Sequence, residues 1–152
     1  MNSFITSLDR EFAQLHQRSR ELIEGAREGR LYRRPDCKVG SGPVLSVGEY
    51  VLRSAATIEQ TFGGLTANLW DDPFEWTLPE TLSTPAKVVV YLDEVEATRK
   101  RGFELFKNDA ELLKEIMGPS GNTRLISLLL DTLVRAAHYL GAAEATFEVL
   151  CD

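Results

Sequence analysis

The chain has 152 residues, 43% hydrophobic and 26% charged, which suits one domain with its own core. Its formal net charge of −6 argues against general nucleic-acid binding, which needs a basic face; the cluster Arg27, Arg30, Arg33, Arg34 and Lys38 is diluted by acidic neighbours. Two cysteines, Cys37 and Cys151, are too few for a disulfide framework and point to a reducing cytoplasm, and no apolar run approaches the roughly 20 residues of a membrane span.

The first predicted element is an amphipathic helix over residues 3 to 28, charged enough not to read as a signal peptide. Phe4, Leu8, Phe12, Leu15, Ser19, Leu22 and Ala26 form its inner stripe. Residues 30 to 45 connect, broken by Pro35, Gly40, Gly42 and Pro43. The GSG in this stretch has neither the Gly-Lys-Ser/Thr ending nor the preceding strand of a phosphate loop, so it reads as a plain connection.

A second helix starts at Ser46, which forms a capping box with Glu49, and runs to about Trp70. Val47, Val51, Ile58, Phe62, Leu65 and Leu69 make its apolar face; a neighbouring strip of Tyr50, Arg53, Thr57, Thr61 and Gly64 could line a cleft. The loop 71 to 84 holds Phe74 and Trp76, which with Trp70 should fold back on the helices as a structural plug in preference to a ligand-stacking site. Thr84 and Pro85 open a third helix with Val88, Leu92, Val95, Phe103 and Phe106 inside. Arg99 falls on that same face and must snorkel or find a carboxylate, Glu96 or Asp93 being nearest in sequence.

Asp109 is placed to cap a short extra helix, AELLKEIMG, ended by Gly118-Pro119. The last helix, from a Thr123 cap to Val149, carries Leu125, Leu129, Ala136, Leu140, Ala143 and Phe147 on one face. Ile126, Leu130, Leu133 and Ala137 widen it, which predicts the most buried helix of the set. No segment reads as a strand. The whole is an all-α four-helix bundle in one domain, residues 1 to 152.

Two stretches, SVGEYVLRSA and LVRAAHYLGAAE, with VVVYLDEVEATR between them, resemble the DinB/YfiT-like (DNA-damage-inducible) family over nearly the whole chain. The resemblance implies an up-down-down-up bundle, commonly a homodimer. It also implies a divalent metal, such as zinc or nickel, held by one His on the second helix and an H-x-x-x-H pair in the last. In this chain those positions hold Arg53, Arg135 and Tyr139, with Gly141 setting the register. All three ligands are replaced, so no metal is expected. His138 stands one residue off, a rotation of about 100° on a helix; it would become a ligand only if that register were wrong.

Arginines in place of imidazoles favour anions over cations. The expected site is therefore an anion-binding cleft at Arg53, Arg135 and Tyr139, with Arg99 and His138 as additional cleft residues. The competing arrangement pairs Arg135 with Asp131 and Arg53 with Glu49 on solvated flanks. Family members that use bacillithiol or mycothiol suggest the alternative of a thiol-dependent transferase, or a metal-dependent enzyme of the same type. A low-molecular-weight thiol would then be the ligand. A third idea is nucleophilic catalysis by Cys37, next to Lys38 and near Arg34, or by Cys151 near the C-terminus. No substrate or catalytic residue follows from the sequence. Neither nucleic acid nor membrane is expected as a partner.

Overall fold

The computed structural model describes residues 3–36, 38, 39, 42–73 and 77–150. Cys37, Cys151, Phe74, Trp76 and the start of the GSG stretch lie outside the described residues. The elements in order are α1 (Ser3–Gly25), a 3-10 turn (Glu28–Arg30), β1 (Lys38–Val39), β2 (Gly42–Pro43), α2 (Val47–Ala67) and α3 (Pro85–Glu104). A second 3-10 turn (Asp109–Leu113), β3 (Glu115–Gly118), β4 (Gly121–Arg124) and α4 (Leu125–Leu150) complete the chain. The protein is mainly helical, with β1–β2 and β3–β4 forming two small antiparallel ladders.

Local chemistry explains most helix ends. The Ser46 hydroxyl accepts from the Glu49 amide at 3.1 Å, and the Glu49 carboxylate accepts from the Ser46 amide at 2.9 Å. This box starts α2. Thr84 caps α3 with Pro85 in its first turn. Asn68, at φ 56, ψ 30, ends α2 in the left-handed region that Asn tolerates. The start of α1 is capped from a distance: Asp109 accepts from the amides of Phe4 at 3.2 Å and Ile5 at 3.1 Å. Asp109 therefore caps α1 and not a helix of its own.

The expected extra helix is absent as such. Only one 3-10 turn forms, and residues 115–118 pair with 121–124 around Pro119-Ser120. A segment this short nucleates a helix poorly, whereas the glycines flanking the two-residue loop let the chain reverse and satisfy its backbone groups as a ladder. Consequently α4 begins at Leu125, with no helical cap at Thr123.

The four helices enclose a core of Leu8, Phe12, Leu15, Ile23, Val51, Leu52, Phe62, Val88, Leu92, Leu129 and Leu140. Phe12, Phe62 and Phe103, from three different helices, meet at ring separations of 5.3 to 5.8 Å. The stripe of α1 differs from the expected one at its start: Ile5 is buried and Phe4 is 67% exposed. Leu69 is likewise exposed, because α2 has already ended.

The expectation that the last helix is the most buried is overturned. Twelve residues of α2 are buried and only eight of the longer α4. Of the widened apolar face of α4, Leu130 is exposed and Ile126, Leu133 and Ala137 are only half-buried, and Val134, beyond that face, is 66% exposed. By length and mean hydropathy (1.2) α4 passes for a membrane span, contrary to the sequence reading, but its other face belongs to the bundle core. Among the small residues of α4, Ala136 is buried within the subunit while Gly141 and Ala145 are exposed.

Cross-helix contacts give the relative sense of the helices. In α2 and α4, Ser54 meets Ala136 and Thr61 meets Thr132, an opposed run. In α1 and α3, Asp9 meets Arg99 and Arg20 meets Asp93, again opposed. In α2 and α3, Glu59 meets Tyr91 and Phe62 meets Phe103, a common direction.

Candidate functional site

The seam between α2 and α4 is held by two buried polar links. The Ser54 hydroxyl donates to the Ala136 carbonyl at 2.8 Å, and the hydroxyls of Thr61 and Thr132 lie 2.7 Å apart. Buried hydroxyls without partners would cost stability, so these links fix the register of the two helices. That register carries the neighbours along. Arg53, Thr57 and Gln60 follow one flank of α2 at helical spacing; Arg135 and Tyr139 do so on α4.

Together with Ala56 and Asp72 these residues line one cleft of about 160 Å³. The two guanidiniums outnumber the one carboxylate, so the lining carries net positive charge. Arg53 is half-buried, with its Nε atom enclosed. Arg135 is exposed and donates from Nε to Asp131 Oδ2 at 2.9 Å. Its terminal nitrogens make no hydrogen bond among the described residues. The expected flank pair Arg135–Asp131 thus forms without closing the cleft. The other expected pair does not form: Glu49 takes Arg34 instead, at 2.6 and 3.0 Å. Burial alone would raise the Glu49 carboxyl, but Arg34 and the amide and hydroxyl of Ser46 outweigh it and lower it to about 2.

Of the two additional cleft residues, His138 is exposed beside the cleft, its ring 5.8 Å from that of Tyr139. Arg99 does not join. It is 1% exposed on the α1–α3 side, where Nε and Nη2 hold Glu96 at 2.9 and 2.6 Å and Nη1 holds Asp9 at 2.6 Å. Its guanidinium also lies 5.2 Å from the Phe103 ring centre. Burial opposes the charge on Arg99, but the hydrogen bonds it donates to Glu96 and Asp9 outweigh burial and raise its pKa. Asp93, the other expected partner, binds Arg20 and lies 3.4 Å from His16.

The polar strip on α2 is only partly a cleft wall. Arg53 and Thr57 line it. Tyr50 accepts from the Leu45 amide, Thr61 is buried at the seam, and Gly64 lies beneath Trp70. The sequence reading missed Gln60 and Asp72. Gln60 is one turn beyond Thr57 and its helical spacing could have flagged it. Nothing in the loop sequence marks Asp72.

Other polar features have structural work. Tyr91 donates to Glu59 at 2.6 Å between α2 and α3. Burial, with Tyr91 opposing it and Glu94 adding to it, raises the Glu59 carboxyl; burial and Glu59 raise the Tyr91 phenol. Neither lines the cleft. A larger cavity of about 420 Å³ is walled by Arg27, Arg30, Val47 and Phe147, but Arg30 donates to the Leu150 carbonyl at the end of α4.

The cleft does not fit a divalent metal. Guanidinium groups have only donors and repel cations. Among the described residues no three His, Cys, Asp or Glu side chains gather to hold one. No family model, curated protein or solved structure matches the chain.

Proposed function

We propose that the protein is a DinB/YfiT-like bundle in which the family metal site has become a binding cleft for a small organic anion. Arg53 and Arg135 hold a carboxylate or phosphate, and the Tyr139 hydroxyl orients it. The observation that supports this most is the meeting of Arg53, Arg135 and Tyr139 in one cleft. These are the three positions at which the sequence resemblance calls for histidines. The helix senses support the same reading, since together they amount to an up-down-down-up bundle. A homodimer working in the cytoplasm belongs to this reading.

The test is a thermal-shift and calorimetric titration of protein purified without a His-tag, with inorganic phosphate and, separately, with zinc, nickel and manganese. A ligand that binds only the folded state at 100 times its Kd stabilises by about 2.7 kcal/mol. Phosphate is expected to stabilise the native chain and not Arg53→Gln/Arg135→Gln, and the metals are expected to do nothing. Stoichiometric metal binding would contradict the reading and make His138 the leading ligand candidate.

A further inference from the structure

A groove of about 610 Å³ adjoins the cleft and shares Gln60 and Arg135 with it. Its far side includes Ser120 and Asn122, at the turn of the β3–β4 hairpin, and Ser127 on α4. The indole of Trp70, half-buried, also lines it.

Trp70 is held rigidly there. A Cβ on Gly64 would lie 2.1 Å from the indole, so the ring rests directly on the α2 backbone and any other residue at 64 would displace it. The Gln60 amide donates to the Trp70 carbonyl at 3.0 Å, and Trp70 Nε1 donates to Asn68 Oδ1 at 3.3 Å. The groove holds one guanidinium, Arg135, paired there with Asp131, so a fixed, half-exposed aromatic side chain is pre-organised for an uncharged flat ring whose anionic group lies in the neighbouring cleft.

We infer that the ligand is an aryl or heteroaryl anion: its charged group sits between Arg53 and Arg135, and its ring lies in the adjoining groove against Trp70. This rests on the anion-cleft reading and extends it from the charged group to the body of the ligand. The groove is about four times the volume of the cleft, so the larger part of the ligand lies outside the arginine pair.

The test compares inorganic phosphate with phenyl phosphate by isothermal titration calorimetry on the full chain. Phenyl phosphate is expected to bind several-fold more tightly. Trp70→Ala should remove that advantage while leaving phosphate affinity within about twofold. Because Trp70→Ala disturbs the end of α2, Ser127→Phe serves as the second variant: it fills the groove from an exposed position and should also abolish the advantage. Equal affinity for the two probes in the native chain, with phosphate bound, would overturn the inference and leave the cleft reading standing. So would an advantage that survives both variants. Binding of neither probe would overturn both.

Discussion

Arg99 and Arg135 sit on opposite sides of the bundle and use their guanidinium groups in opposite ways. On the α1–α3 side, each nitrogen of Arg99 donates to a carboxylate, and the residue is almost wholly buried. On the α2–α4 side, Arg135 commits Nε to Asp131 and remains exposed beside Arg53. A charge taken out of water has to be matched in place, and the matching leaves nothing for a ligand. A charge kept at a cleft edge gives little to stability and retains its capacity to bind. The difference assigns Arg99 to holding α1 against α3, and leaves Arg135 available for the proposed anion cleft.

The largest expected effect breaks the closed side. Arg99→Ala leaves Glu96 buried without its partner and should cost about 3–5 kcal/mol, read by urea unfolding. Removing both charges as Arg99→Leu/Glu96→Leu should recover much of that loss. A double variant no more stable than the single one would show that packing, and not the stranded carboxylate, sets the cost.

A second closed pair sharpens the comparison through pH. The Glu49 carboxyl lies at about 2 in the folded chain against an ordinary value of 4.5. Its folded value is the lower one, so its contribution is fully present above about pH 4.5 and is lost as pH falls toward 2. The loss should be about 3 kcal/mol at most. Glu49→Gln should flatten stability across that window in acid-denaturation curves. Glu59 has the opposite sign: its folded carboxyl is raised, so it weakens the fold as pH climbs above the ordinary carboxylate range. Glu59→Gln should therefore reduce the fall in stability on that higher-pH side.

The smallest expected change lies on the open side. Arg135→Gln removes one exposed i,i+4 ion pair and should alter unfolding free energy by only a few tenths of a kcal/mol. A loss above about 1 kcal/mol would place Arg135 with Arg99 among the structural arginines.

The parts of this picture that depend on near neighbours were readable from the chain. The Ser46–Glu49 box, the Thr84–Pro85 start and the inward face of α3 all lie within a turn or two of sequence. The resemblance names Arg53, Arg135 and Tyr139, and spacing puts the last two on one helix flank, but their meeting with Arg53 depends on how α2 packs on α4, which the chain alone does not show. What escaped depends on distant residues. Arg99 visibly needed a carboxylate, but Asp9 is 90 residues away. Asp109 looked like a local cap and instead closes α1 over more than 100 residues. The inward face of α4 was readable, with Leu125, Leu129, Ala136, Leu140 and Ala143 buried, but how far burial extends around it was not: Leu130 is exposed. The Gly-Pro-Ser-Gly turn was read as the end of a helix because glycine and proline mark both helix ends and hairpin loops.

The most direct test of the central claim is phosphate titration of native protein and Arg135→Gln, with both unfolding curves measured in the same buffer. Unchanged stability with phosphate affinity reduced about tenfold or more is the predicted result. Equal affinity in the two proteins, or no phosphate binding by the native chain, would contradict it.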